Sequence, residues 1–363
     1  MDELIHGGDV YTDRCLPEGV PLLDFSANLN PLGMPESVRQ TLAGCAEQCG
    51  AYPDPLCRAL RGALAEREGV PAERIVCGNG AADLIYRLVW ALRPKRALIP
   101  APTFAEYALA LEGAGCRVEY AFLLEKEGFA SCEALLDAVK PGVELVFFCN
   151  PNNPTGVLSG REYLLRLAER CREAGAVLAV DECFLDFADG GDECSLVPEL
   201  ERFPNIAVLK AFTKLYAMAG LRLGYLLCGG EELAGRVSRA GQAWSVSTPA
   251  QLCGLAALEA VDYASRTRDA IRGERDFLRK ALEKAGCRVY GSKANYLFFR
   301  SGWDDLPERL LSYGILVRSC GNYPGLDKRY CRIAVRTSGE NLRFVECLQK
   351  VADGEGTAWQ KQS

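Results

Sequence analysis

A chain of 363 residues, 49% hydrophobic and 25% charged, is long enough to bury a substantial core without the help of disulfides. A net charge of −6 with no Lys/Arg-rich block argues against a nucleic-acid surface or an anionic membrane face, and no apolar run approaches the roughly 18 residues that span a bilayer. The 17 cysteines form no C-x-x-C pair and His6 is the single histidine, so neither a zinc site nor a Ser-His or Cys-His relay is readily assembled, and no metal is expected. The opening segment carries acids and no signal-like apolar region, so the chain reads as cytoplasmic.

In chain order, an N-terminal arm over 1–45 contains HGGD (6–9) and DFSANLNPLGMP (24–35). From about residue 56 to 240, short apolar runs alternate with helical stretches. RIVCG (74–78) predicts a strand before a helix over 81–92, RALIP (96–100) one before a helix over 104–113, and LVFFCN (145–150) one before a helix over 161–174. AVLAVDE (176–182), NIAVLKAF (205–212) and LGYLLCG (223–229) read as further strands. Runs apolar on both faces and separated by helices indicate an α/β fold with a mostly parallel sheet covered on both sides. After Ala250 one long helix is expected from Gln251 to about Ala285. RVYGS, NYLFFR, a helix over 306–313, ILVRS, CRIAVRT and a final helix then form a smaller α/β lobe. The expected division is a large domain over 46–245, a small one over 246–352 and a fraying tail over 353–363.

The chemistry concentrates where strands end. Lys214, in KAFTKLYAMAGLRLGY (210–225), follows an apolar strand, where partial desolvation lowers an amine's pKa and favours imine formation. Gly80, Ala81 and Ala82 open a helix whose free N–H groups can hold a phosphate. Asp181 ends a buried strand, where a carboxylate is costly unless paired.

The pattern T-K-x-x-x-x-x-G-x-R-x-G-Y over 213–225, with NPNNPTG (150–156) and VLAVDE before it, resembles the Schiff-base signature of fold type I pyridoxal 5′-phosphate (PLP) enzymes, the aminotransferases and their relatives. The resemblance implies a PLP cofactor carried on Lys214, with Arg222 and Thr213 at its phosphate, Asn153 on the phenolic oxygen and Asp181 on the pyridinium nitrogen. Tyr107 is the expected ring-stacking aromatic and Phe104 the less favoured choice, while Tyr52 matches a tyrosine that reaches the neighbouring subunit's cofactor phosphate and so implies a homodimer. Two departures stand out: Ala211 occupies a position where many relatives have a phosphate-binding Ser or Thr, and Phe184 replaces the usual tyrosine.

Within that family the chain resembles the histidinol-phosphate aminotransferase-like branch. HGGD, DFSANLNPLGMP and VRSCGNYPGLDKRYCRIAVRT (317–337) favour its members that decarboxylate L-threonine O-3-phosphate. Aminotransfer to or from histidinol phosphate and decarboxylation of phosphoserine are the alternatives. The resemblance implies a small phosphorylated amino acid as substrate, with Arg332 on its carboxylate, Arg318, Arg336 and His6 on its phosphate, and Asn30, Gly33 and Asn153 also in contact with it.

Overall fold

The computed structural model describes residues 6–14, 16 and 19–354, so the expected tail lies, from residue 355 on, outside the described residues. After a short strand β1 (Leu23–Asp24), seven strands form the main sheet: β2 (Ile75–Gly78), β3 (Arg96–Ala101), β4 (Arg117–Phe122), β5 (Leu145–Cys149), β6 (Val177–Asp181), β7 (Ile206–Ala211) and β8 (Gly224–Cys228). Their order is β2-β8-β7-β6-β5-β3-β4. Strands β3 to β7 pair in parallel, and β8 lies antiparallel between β7 and β2, so β8 alone among the seven runs against the others. Every residue of β5 and β8 is buried, as helices on both faces require.

The helices are α1 (Glu36–Gly44), α2 (Arg58–Glu68), α3 (Gly80–Leu92), α4 (Glu106–Gly113), α5 (Glu133–Ala138), α6 (Arg161–Ala174), α7 (Phe212–Leu215), α8 (Glu231–Arg239), α9 (Thr248–Leu258), α10 (Tyr263–Lys284), α11 (Leu306–Leu311) and α12 (Ser338–Ala352). α6 follows from its sequence directly. Leu164, Leu167, Ala168 and Cys171 make one buried stripe at helical spacing, and Gly175 ends it at φ 75°. None of the described helices is long and apolar enough to cross a membrane.

Beyond the main sheet, β9 (Arg288–Val289), β10 (Tyr296–Arg300), β12 (Arg318–Ser319) and β13 (Tyr330–Ala334) form an antiparallel sheet in the order β12-β13-β10-β9. A further strand, β11 (Ile315–Leu316), just before β12, pairs in parallel with β1 as a separate two-stranded sheet, which ties the N-terminal arm to the chain leading into the second sheet.

Two expectations are corrected. The single helix from Gln251 to Ala285 is broken at 259–262. α9 is buried nearly all round, through Ala250, Gln251, Cys253, Gly254, Ala256 and Ala257, whereas α10 buries only the stripe Tyr263, Thr267, Ile271, Arg275, Leu278 and Leu282. One straight rod cannot serve both environments, and the turn leaves Val261 84% exposed. The helix expected from Phe104 starts at Glu106, which leaves Phe104 in the loop before it.

Candidate active site

The parallel strands β2, β6 and β7 end on one edge of the main sheet, the edge where ligands bind in open α/β sheets. A cavity of about 340 Å³ lies there, closed on its far side by the small sheet and the N-terminal arm. Lys214 and Thr213 enter it from α7 just past β7, Asp181 from the end of β6, Asn153 from the loop after β5, and Ala81 and Ala82 from the first turn of α3.

Burial, reinforced by the nearby Arg332 and Arg222 guanidinia, pushes the Lys214 amine down to about 8. Its Nζ stands 5.9 Å from the centre of the Phe184 ring. Asp181 is buried and paired: one oxygen accepts from the Cys183 backbone N–H at 2.9 Å and the other from the Tyr107 hydroxyl at 2.6 Å. Arg222 takes a left-handed backbone (φ 59°), a conformation costing about 1 kcal/mol outside glycine, and its guanidinium folds back onto the start of α3. A Cβ on Gly80 would lie 2.6 Å from Arg222 Nη2, and one on Gly224 2.7 Å from the Ala81 nitrogen. Glycine at both positions therefore keeps open a cradle of backbone N–H groups and one guanidinium suited to a phosphate. With a depressed lysine, a buried carboxylate and the Asn153 amide on the same cavity, this donor set fits PLP.

The opposite wall is cationic. Register in the small sheet sets Arg318 directly across from Arg332, and both are buried, at 8% and 5% exposure. Arg332 donates to Asn153 Oδ1 at 2.5 Å and to the Ser26 carbonyl at 2.6 Å, and its guanidinium lies 5.5 Å from the Tyr296 ring centre. The Asn153 oxygen being committed, its Nδ2 is the atom left to donate. Arg318 donates to the Ser319 carbonyl at 2.6 Å and to Asn322 Oδ1 at 2.9 Å. His6 lines the cavity and hydrogen-bonds Glu106. Like charges directly opposite in a sheet are destabilising, the more so when buried. Two such arginines give the cavity a positive wall of the kind that suits an anion.

Several expected residues lie elsewhere. Tyr107 does not line the cavity: it is fully buried, stacks on Phe147 at 4.8 Å and donates to Asp181 from behind, and Phe104 is the aromatic that faces the cavity. Asn30 is turned away, its amide donating to the Leu215 carbonyl at 2.6 Å and to Thr267 Oγ1 at 2.7 Å, so it braces the Lys214 helix and does not line the cavity. Gly33 forms a turn at φ 77° whose carbonyl accepts from the Tyr263 hydroxyl. Arg336 lies past the end of β13, paired with Glu340 at 2.5 Å at the start of α12 and outside the cavity wall. Tyr52 is 81% exposed, stacked on Trp244, and does not line the cavity of its own chain.

Residues that the sequence did not assign to the site also line the cavity. Asn28, two positions before Asn30, lines the cavity, and its buried Oδ1 has no hydrogen-bond partner among the described residues; the same holds for Arg332 Nε. Ser26, Glu106 and Tyr323 also line it. Asn28 lies within the DFSANLNPLGMP segment that the sequence singled out; Glu106 had no such signal, its partner lying 100 residues away.

The model of the family described as aminotransferase class I and II matches residues 20–348. The threonine-phosphate decarboxylase of Salmonella typhimurium is 40% identical over 354 residues, covering 96% of this chain and 97% of its own length. The histidinol-phosphate aminotransferase of Desulfitobacterium hafniense is 34% identical and covers 94% of each chain. The crystal structure of the histidinol-phosphate aminotransferase from Clostridium acetobutylicum superposes with a TM-score of 0.85 at 29% identity, covering 92% of this chain and 100% of that one.

Proposed function

The chain belongs to the class I and II aminotransferase family, and from that premise we propose that it decarboxylates L-threonine O-3-phosphate to (R)-1-amino-2-propanol O-2-phosphate, the aminopropanol unit of cobalamin assembly. The observation that carries this reading is the pair of buried arginines set opposite each other on the cavity wall. A substrate with both a carboxylate and a phosphate complements the positive charge of the pair.

PLP is the cofactor, and when bound it supplies an electron sink conjugated to the substrate's amino nitrogen. Gly80, Ala81, Ala82, Thr213 and Arg222 would hold its phosphate, Asp181 would pair with its ring nitrogen and Asn153 would donate to its phenolic oxygen. Tyr107, donating to Asp181, keeps that carboxylate aimed. Arg332 grips the substrate carboxylate and so decides which bond at Cα is presented for cleavage. Arg318 and His6 take the phosphate. Lys214, with its amine near 8, is the group poised to return a proton to Cα once CO₂ has left. Phe184, carrying no hydroxyl beside Lys214, removes a hydrogen bond that would tune the ring for amino transfer.

The test compares kcat/KM for phosphothreonine, phosphoserine, threonine and histidinol phosphate. Losing a phosphate opposite buried cations costs roughly 2–5 kcal/mol, so threonine should be a very poor substrate. Equal values for threonine and phosphothreonine, or rapid amino transfer from histidinol phosphate, would reject the decarboxylase reading.

A further inference from the structure

His6 and Glu106 meet across the cavity although they stand 100 residues apart in sequence, His6 Nε2 hydrogen-bonding Glu106 Oε1. Both line the cavity, and the His6 ring also rests against Phe104, 5.6 Å between centres. Glu106 is held in place before any ligand arrives. It opens α4, where a carboxylate meets the positive end of the helix, and the Tyr86 hydroxyl on α3 helps to hold it ionised. The bond from His6, chiefly, holds its carboxyl below the usual carboxylate range.

His6 is anchored from the other side too. The Gly8 N–H donates to Ser26 Oγ at 2.7 Å, and a Cβ on Gly7 would lie 2.3 Å from the Ser26 carbonyl oxygen, the same oxygen that accepts from Arg332. Residues 6–8 therefore run from the Arg332 wall to the α3–α4 wall as a strap, with Glu106 receiving its end.

We propose that Glu106 is the positioning residue for His6. By accepting from Nε2–H it fixes the orientation of the imidazole, whose cationic form then offers Nδ1–H as the donor to a phosphate held jointly with Arg318. Glu106 is thereby a determinant of specificity for phosphorylated over plain substrates that makes no contact of its own with the phosphate. This rests on the phosphate-binding reading of the cavity proposed above.

The experiment uses cofactor-loaded enzyme, so that the cofactor's phosphate cradle is filled, and titrates inorganic phosphate by calorimetry and by NMR. Because the chain has a single histidine, untagged protein gives one imidazole signal, which reports on His6 without further assignment. Phosphate should bind the unaltered enzyme and move that signal. Glu106→Gln should weaken phosphate binding by roughly threefold to tenfold, the scale of one partly exposed charged contact. It should raise KM for phosphothreonine by a similar factor and by more than for threonine, with the cofactor's visible absorbance retained. Glu106→Asp, which keeps the carboxylate on a shorter arm, should recover part of the loss. In a His6→Ala background Glu106→Gln should have no further effect. Equal or tighter phosphate binding by Glu106→Gln, or an undiminished effect without His6, overturns this assignment alone. Phosphate that fails to bind the unaltered enzyme overturns the phosphate-pocket reading and this assignment with it.

Discussion

Replacing Arg332 with Gln should change how the cofactor-free enzyme captures PLP. The Lys214 amine must be neutral to attack the cofactor's aldehyde, and burial together with the adjacent Arg332 cation holds it at about 8. About a quarter of the amine is then neutral at pH 7.5, against about one part in a thousand for an ordinary lysine. Glutamine keeps an amide able to reach Asn153 or Ser26 but removes the positive charge, so the midpoint should rise by roughly one pH unit. The neutral fraction at pH 7.5 then falls to about 3%, and capture should be roughly eightfold slower there, with the two enzymes converging above about pH 10. The sign is fixed: removing a cation eases protonation of a neighbouring amine, so the loss appears on the acid side. Stopped-flow growth of the cofactor's visible absorbance across pH 6 to 10 measures it, and borohydride reduction with peptide mapping confirms that the label sits on Lys214. An unchanged or lowered midpoint, or a label on another lysine, would refute the reasoning.

Ala211→Ser would restore a hydroxyl on the cavity wall beside the phosphate cradle; equilibrium dialysis should show PLP held roughly threefold to tenfold more tightly, and no change would mean that the hydroxyl cannot reach the phosphate. Arg318→Gln should raise KM for phosphothreonine by roughly 30-fold or more while Arg336→Gln, whose guanidinium is spent on Glu340, stays within about twofold; the reverse order in steady-state kinetics would restore the sequence-based assignment. The exposed Tyr52–Trp244 pair suits a second subunit, so sedimentation should give a dimer and Tyr52→Phe should loosen PLP; a monomer of full activity would end that expectation.

Much of the main sheet was legible because its buried strands are continuous apolar runs and its helices carry one-sided stripes. β4 was not: as an edge strand it mixes Arg117 and Glu119 with Val118 and Tyr120, and no residue of it is fully buried. Residues brought to the cavity by one strand end, such as Lys214, Asp181 and Asn153, were legible in the local sequence. Those that depend on a change of chain direction were not. Tyr107 and Phe104 sit three apart, and only the later start of α4 decides which one faces the cavity. Asn28 and Asn30 are two positions apart, yet one lines the cavity and the other is turned onto α7 and α10. Arg332 and Arg336 would share a face of a longer strand, but β13 stops at Ala334.

The central claim is that this family scaffold breaks the bond from Cα to the carboxylate and does not transfer the amino group. The most direct measurement mixes holoenzyme with phosphothreonine labelled at its carboxyl carbon and counts labelled CO₂ against aminated cofactor. Many equivalents of CO₂ per active site, with (R)-1-amino-2-propanol O-2-phosphate accumulating and the cofactor spectrum restored at the end, is the predicted result. One equivalent of oxoacid, an aminated cofactor and no labelled CO₂ would contradict it.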